Sequence, residues 1–209
     1  MALINKLNAI GDAIREKTGK TDLLTLEQMP IEIAAIETGG GADTSMEDSL
    51  IEGTLTEYSN DRVTIFKTQA FNGMSSLVSI SFPNVIKIES GSFAWGNLTN
   101  IHFPKLQEMN SLFLFNQCSN LTYADFPALK KINGGSDFAN TGLATLILRN
   151  PTMCILSSGT STFNNTPIAN GTGYIYVPAA LIEEYKAATN WVTYAAQFRA
   201  IEDYPDICG

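Results

Sequence analysis

The chain has 209 residues, of which 44% are hydrophobic and 16% charged, and 21 acidic against 13 basic side chains give a net charge of −8. This composition is too apolar for a disordered chain and too poor in charge for a long coiled coil. Nucleic acid and anionic membranes attract basic proteins, so we expect neither as a partner. No stretch reaches the roughly 20 apolar residues that span a bilayer, so we expect no membrane insertion.

Charged side chains interrupt the N-terminal stretch where the apolar segment of a secretion signal would lie. We therefore expect the chain to be made in the cytoplasm. The three cysteines, Cys118, Cys154 and Cys208, include no Cys-x-x-Cys pair. An odd number with this spacing predicts neither a disulfide framework nor a zinc site.

A helical hairpin is expected at residues 1–38. Apolar side chains recur at helical spacing in two stretches, the first ending at Thr18-Gly19 and the second holding Pro30 in its first turn. Two short helices bury little by themselves, so they either form a simple intramolecular pair or associate with a partner or a second copy. The residues expected to dock or oligomerise are Leu3, Leu7, Ile10, Ile14, Leu26, Met29, Ile33 and Ile36.

Two motifs in this hairpin occur in order. The first, Ile-x-Asp-Ala-Ile-Arg-x-Lys-Thr-Gly, runs from Ile10 to Gly19, and the second, Leu-x-x-Met-Pro-x-x-Ile-x-x-Ile, runs from Leu26 to Ile36. The segment resembles the N-terminal module of tail-associated proteins from phages and prophages of Gram-positive hosts. The resemblance implies an adaptor that docks to the virion and precedes varied C-terminal modules.

Residues 39–50 are predicted to form a flexible acidic linker. Its three consecutive glycines, from Gly39 to Gly41, are not followed by the Gly-Lys-Ser/Thr of a phosphate-binding loop. The acidic residues that follow do not have the spacing of a calcium loop. We therefore assign no ligand to this segment.

Residues 51–177 repeat with a period of about 22 residues. Successive leucines are 21, 23 and 22 residues apart, and a separate phenylalanine recurs at intervals of 22, 22, 23 and 25. A β-sandwich, with strands every 8–12 residues, predicts no such period. The leucine column is Leu77, Leu98, Leu121 and Leu143, and the phenylalanine column is Phe71, Phe93, Phe115, Phe138 and Phe163.

Each copy predicts a short strand with alternate residues buried, a turn at proline and a return segment that places one phenylalanine in the interior. Stacked copies would bury these columns together, which a lone copy cannot do. The order Ala-Phe-x-Gly, then Ser-Leu-x-x-Ile-x-Phe-Pro, resembles the BspA-like leucine-rich-repeat family. Ala124 and the copy that starts at Thr141, which lacks the usual proline position, depart from the pattern.

The resemblance implies an α+β solenoid that acts as a recognition scaffold on the surface of bacteria or their phages, without catalysis. With the N-terminal hairpin, the expected fold is a leucine-rich-repeat solenoid closed by a C-terminal helical cap at residues 178–209. Tyr174–Val177 is predicted as the last strand, and helical spacing follows from Leu181. Tyr194–Ile201 is predicted as a second short helical or terminal piece, and Trp191 as core of the cap.

Few residues offer chemistry. His102 is the only histidine, and a Cys–His pair would have to recruit Cys118 or Cys154 and a third group to orient the imidazole. Cys118 stands where the other copies hold a small buried residue, so packing is the better interpretation. We expect no enzyme, no cofactor and no metal site.

Binding is the expected activity of the scaffold. Alternation predicts one outward-facing surface on the sheet, formed by Ser79, Ser81, Asn100, His102, Tyr123, Asp125, Thr145 and Ile147. Small polar groups beside an aromatic ring suit a carbohydrate or a polar protein surface. Trp95 and Phe113, on the return segments, are alternative anchors if they are exposed.

The leading hypothesis from the sequence is a non-enzymatic phage tail protein, located in the virion and assembled in the host cytoplasm. Its partners would be other tail or baseplate proteins and a glycan or protein receptor on the bacterium. We expect a homo-oligomer, with a trimer favoured by analogy with tail appendages. The alternatives are a bacterial cell-surface adhesin and a wall-polymer hydrolase using His102, Cys118 or Cys154.

Overall fold

A computed structural model describes residues 53–208, with the side chain of Thr160 excepted, within the compact unit Gly53–Gly209. The predicted helical hairpin and linker, with the docking residues from Leu3 to Ile36, lie outside the described residues. The described part is rich in repeats, with parallel strands and few helices.

Short strands make up most of the regular structure. The strands are β1 (Glu57–Ser59), β2 (Ile65–Phe66), β3 (Ser79–Ser81), β4 (Lys87–Ile88), β5 (Asn100–His102), β6 (Glu108–Met109), β7 (Tyr123–Asp125), β8 (Lys131–Ile132), β9 (Thr145–Ile147), β10 (Ile155–Leu156), β11 (Tyr174–Val177) and β12 (Phe198–Ala200). The three- and four-residue strands pair as β1-β3 and as β5-β7-β9-β11-β12. The two-residue strands pair separately, as β2-β4 and as β6-β8-β10.

All of these pairings are parallel, and all except β11-β12 join equivalent positions of neighbouring repeats. Asn100 lies opposite Tyr123, and Tyr123 lies opposite Thr145. Parallel strands at equivalent positions can pair only if the chain makes one complete coil between them. The repeats are therefore wound as successive coils, which we number 1 to 5 by their central phenylalanines, Phe71, Phe93, Phe115, Phe138 and Phe163.

These five phenylalanines form a continuous ring stack through the interior. Neighbouring ring centroids are 5.4 to 5.6 Å apart, and the interplanar angles are 4° to 11°. Phe71 at the first position is half-buried, whereas the other four rings are buried. The leucine column and the second phenylalanine column, Phe82, Phe103 and Phe126, are also buried. The repeat columns thus form one shared core, as the sequence period predicts.

The C-terminal stretch contains the two α-helices of the described chain, α1 (Ile182–Ala187) and α2 (Pro205–Cys208), and 3₁₀ segments at Ala179–Leu181, Trp191–Gln197 and Ile201–Asp203. Trp191 is buried, and its ring centroid lies 6.0 Å from that of Phe163 in the last coil. The prediction that Tyr194–Ile201 is a second helical or terminal piece is wrong in part, because β12 pairs with β11 inside this range.

Candidate functional site

The larger sheet exposes one face of short strands. In β5 the outer residues, Asn100 and His102, are exposed while Ile101 between them is buried, as alternation requires. The structure places six of the eight predicted residues on this face, because β5, β7 and β9 pair in register and present their first and third residues to the same side. Ser79 and Ser81 lie on β3, which pairs with β1 in a separate two-stranded sheet. Ser79, Tyr123 and Thr145 are half-buried.

Two of these eight positions are not open to solvent, and the prediction of an exposed side chain is wrong for both. Ile147 is 0% exposed and Asp125 is 4% exposed. Ile147 lies in a small apolar cluster with Tyr176 and Cys208, against which Tyr204 packs. The C-terminal helix α2 therefore covers this end of the face, and Ile147 cannot contact a ligand while α2 stays in place.

Asp125 is the centre of a polar cluster whose members satisfy its buried carboxylate. Arg149 donates from Nε to both carboxylate oxygens at 3.0 and 3.1 Å, and from Nη2 to Oδ2 at 3.1 Å. Nδ1 of His102 lies 3.2 Å from Oδ2 of the same carboxylate. Hydrogen bonding to Asp125 raises the pKa of Arg149, which stays charged. Arg149 also donates to the carbonyl of Cys208, so the cluster fastens α2 to the sheet.

Two residues that the sequence interpretation did not select complete this face. Tyr174 on β11 is partly exposed, and the guanidinium carbon of Arg199 lies 4.3 Å above its ring centroid. A cation at this distance is attracted by the ring face. Tyr174 is the first residue of a strand that the sequence did predict, so alternation could have identified its outward position. The position of Arg199 could not be identified in this way, because β12 was not predicted.

A separate groove lies on the return segments of coils 1 to 3. It has a volume of about 360 Å³, and both alternative anchors line it. Trp95 is 61% exposed and Phe113 is 48% exposed, which is unusual for large apolar side chains. The groove is completed by Thr68, Gln69, Asn72, Ser90, Gly91, Ala94, Leu112 and Asn116.

The repeat explains why a depression forms at this place. Gly91 and Ala94 of coil 2 are the smallest residues of their columns within coils 1 to 3. Gln69 and Asn72 occupy the same two positions in coil 1, and Phe113 and Asn116 occupy them in coil 3. Gly91 and Ala94 are both buried, so the middle coil supplies the floor and its neighbours supply the walls.

Both aromatic anchors have a left-handed backbone, with φ of 62° at Trp95 and 60° at Phe113. Each coil has two such positions, and the other coils place glycine or polar residues there. The first column is Gln69, Gly91, Phe113 and Ser136, each two residues before its central phenylalanine, while in coil 5 the left-handed residue is Gly159, four residues before Phe163. The second column is Gly73, Trp95, Gln117, Asn140 and Asn165. Bulky residues rarely adopt this conformation. The sequence pattern did not indicate which residues of each coil have a left-handed backbone.

The thiols of the repeat region lie in the core. Burial raises the pKa of Cys118 to about 11 and that of Cys154 to about 12, so both stay protonated at neutral pH. Within residues 53–208, no group of three or more His, Cys, Asp or Glu side chains is placed to hold a metal ion. The same part of the chain contains no helix of sufficient length and apolar character to cross a membrane.

The coils, their parallel ladders and the buried leucine and phenylalanine columns define a leucine-rich-repeat protein. A family model for the BspA-type leucine-rich-repeat region matches residues 53–169 in six copies. The chain belongs to this family. Repeats of this type suggest a surface-binding or adhesin-type role. A search of curated proteins found no match.

Proposed function

We propose that this chain is a non-enzymatic component of a phage tail, whose repeat region binds the surface of the host bacterium. The observation that carries the binding role is the groove on coils 1 to 3. Trp95 and Phe113 are exposed there, whereas the central phenylalanines of the coils pack in a continuous stack. Exposed aromatic side chains held on a rigid support are a common feature of binding surfaces.

The absence of catalysis in this proposal is supported by the state of the nucleophile candidates. Cys118 donates its thiol to the carbonyl of Phe93 at 2.9 Å inside the core. Cys154 is buried beneath the C-terminal stretch, where the indole of Trp191 donates to its carbonyl. His102 contacts Asp125 on the sheet face, and no hydrogen bond joins its imidazole to a thiol among the described residues. Neither thiol is therefore placed to act as an activated nucleophile.

The C-terminal stretch serves in this proposal as the cap of the repeat. Trp191 and Tyr194 both pack on Phe163, with ring centroids 6.0 and 5.3 Å away. Without them the last ring of the stack would meet water, and repeat proteins need such terminal covers for solubility. The indole nitrogen of Trp191 also donates to the carbonyl of Cys154 at 2.6 Å, which fixes the cap on the last coil.

The tail location rests on the resemblance of residues 1–38 to phage tail modules. The apolar stripe that includes Ile10 and Ile14 would dock the chain to another tail or baseplate protein or form a homo-oligomer, with a trimer favoured. The receptor would be a glycan or a protein on the bacterial surface. The protein would be assembled in the host cytoplasm and act in the virion.

The binding role is tested by incubating fluorescently labelled full-length protein with cells of the strain whose genome carries the gene, and with related strains. We expect saturable binding to at least one strain. An absence of binding to every strain would refute the surface-binding role. The docking role is tested by the double substitution Ile10→Asp and Ile14→Asp, with Asn5→Asp as the control on the opposite face of the predicted helix. We expect only the double variant to be missing from purified phage particles, and its normal incorporation would refute docking.

A second candidate is a bacterial cell-surface adhesin, which the BspA-type repeats favour directly. The two candidates predict different locations for the same chain. An antibody against the protein would detect it in purified virions if it is a tail component, and in the cell-wall fraction of uninfected cells if it is an adhesin. Tail genes on both sides of the coding sequence would further support the tail assignment.

A further inference from the structure

We infer that the groove on coils 1 to 3 binds a neutral oligosaccharide, with Trp95 and Phe113 as the stacking surfaces. The inference builds on the proposed surface-binding function and names the chemical class of its ligand. Sugar rings carry an apolar face that packs on aromatic rings and hydroxyl groups around their edge. The groove presents both kinds of partner, aromatic rings and polar side chains.

The two aromatic side chains occupy positions that cost backbone strain. Trp95 is in the left-handed region, as are Asn140 and Asn165 at the equivalent positions of coils 4 and 5. Phe113 shares its position with Gln69, Gly91 and Ser136, which are all smaller. Asparagine and glycine adopt this conformation readily, whereas bulky side chains do so with strain. Strained bulky residues cluster at binding sites, where the ligand interaction offsets the strain.

Neither ring belongs to the aromatic stack of the core. No ring contact joins Trp95 or Phe113 to the aromatic stack within the described chain, and both are about half exposed or more. Their backbone nitrogens hold the turn in place by donating to the next coil, from Trp95 to Asn116 at 2.8 Å and from Phe113 to Gly135 at 3.3 Å. The rings are thus presented to solvent on a fixed backbone.

The polar part of the lining is built to accept hydroxyl groups. Asn72 donates its side-chain nitrogen to the carbonyl of Gly91 at 3.2 Å, and Asn116 donates its own to the carbonyls of Ser136 and Ala139 at 3.3 Å. These bonds orient both amides and leave each side-chain oxygen without a partner among the described residues. Two fixed acceptors beside two aromatic rings match the hydroxyl groups and the apolar faces of sugars.

The electrostatic character of the groove selects a neutral ligand. None of its ten lining residues is charged. The whole chain carries a net charge of −8, which disfavours a polyanionic wall polymer. A basic peptide would find no carboxylate in the lining. An uncharged glycan is therefore the best electrostatic match.

The size of the groove agrees with a short oligosaccharide. A volume of about 360 Å³ is close to the lower end of the roughly 300–1,000 Å³ seen for small-molecule sites. Strands of adjacent coils are about 4.8 Å apart, so coils 1 and 3 are separated by roughly 10 Å. This span fits about two linked pyranose rings running along the stack of coils.

The test measures binding of full-length protein to three neutral probes by calorimetry: the hexasaccharides of β-1,4-glucose, α-1,4-glucose and β-1,4-N-acetylglucosamine. The variants are Trp95→Asn and Phe113→Gly, which place at each position a residue that other coils hold there. Gln117→Asn is the matched control, since Gln117 lies in the same left-handed column as Trp95 but outside the groove. We expect at least one probe to bind, each groove variant to lose at least tenfold in affinity and the control to stay within twofold.

A melting temperature equal to or above that of the wild type will show that a variant is folded. Relief of backbone strain predicts this result for both groove variants. Binding of no probe, or equal binding by wild type and Trp95→Asn, would overturn the inference. Cell binding measured in parallel separates the two proposals. Cells bound equally by wild type and the double groove variant would refute the groove while the surface-binding role stands. Loss of cell binding after protease treatment of the cells would identify a protein receptor and also refute the glycan.

Discussion

Arg149 donates three hydrogen bonds to the carboxylate of Asp125 and a further one to the carbonyl of Cys208 in α2. One guanidinium therefore joins β7, the segment after β9 and α2. Because the Asp125 side chain is only 6% exposed, this ion pair is largely protected from solvent screening. It is the principal polar connection between α2 and the sheet face.

Replacing Arg149 with alanine should release α2 and expose Ile147. The carboxylate of Asp125 would be left buried with the imidazole of His102 as its remaining side-chain partner, which we expect to lower the free energy of unfolding by about 3 kcal/mol. Hydrogen exchange should show faster exchange at the amides of Ile207 and Cys208, which donate to Tyr204. Lys186→Ala, which removes an exposed pair with Glu183, is the control and should leave both measurements unchanged.

Asp137 should make the fold less stable as the pH rises. Burial raises the pKa of its carboxyl from an ordinary value of 3.8 to about 7, and its Oδ2 atom has no partner among the described residues. The unfolded chain therefore releases this proton at lower pH than the folded chain does. The contribution of Asp137 to stability falls between about pH 4 and pH 7 and is constant above that range.

Asp137→Asn removes this titration and keeps the side-chain oxygen that accepts from the amide of Leu114. We expect the free energy of unfolding of the variant, relative to that of the wild type, to rise by about 2–3 kcal/mol from pH 5 to pH 8, measured by urea unfolding. Comparing the two proteins at each pH cancels the titration of the other acidic groups. A difference that does not change with pH would contradict the prediction.

Gly134 should tolerate no side chain. A Cβ atom at this position would lie 1.7 Å from the carbonyl oxygen of Ser111 and within 2.8 Å of both oxygens of Asp137. The backbone of two coils would have to separate, so we expect Gly134→Ala to destabilise the protein by more than about 3 kcal/mol. The adjacent Gly135→Ala is a close control, because its nearest contacts are side-chain atoms at 3.7 and 3.8 Å. Thermal unfolding of the two variants should differ clearly.

The position of a ring in the stack should determine what its removal costs. Phe115 is packed between Phe93 and Phe138, at 5.4 and 5.5 Å, whereas Phe71 has a stacked neighbour on one side and is half-buried. We expect Phe115→Ala to cost about 4 kcal/mol and Phe71→Ala roughly half as much. Chemical denaturation gives both values, and equal costs would show that the stack does not act as a continuous core.

The sequence predicted the periodic part of this fold because burial there is a local property. Phe93, Phe115 and Phe138 recur at a constant interval, and each must be buried by its two neighbours. The last strand, Tyr174–Val177, was predicted with its observed bounds because it continues the same alternation. The two-residue strands such as Lys87–Ile88 were not predicted, since two residues cannot display a period.

The sequence could not predict which part of the sheet face is open. Ile147 follows the alternation that points it outward, yet α2 from the far end of the chain covers it. Its apolar character in a column with Ser81 and His102 was the available signal. Of the groove, the sequence predicted only the two aromatic anchors. The shape of the groove depends on left-handed turns, and Trp95 stands in one of them at a position where other coils have residues such as glycine or asparagine.

The identical pairing register from coil to coil has an evolutionary consequence. Each coil bonds to its two neighbours through equivalent backbone atoms, so duplication of a 22-residue unit between coils 3 and 4 would create two junctions like those already present. Such a duplication would lengthen the domain by about 4.8 Å and leave the groove and the C-terminal stretch unchanged. Relatives of different length can therefore arise by in-frame gain or loss of whole units, without redesign of either terminus.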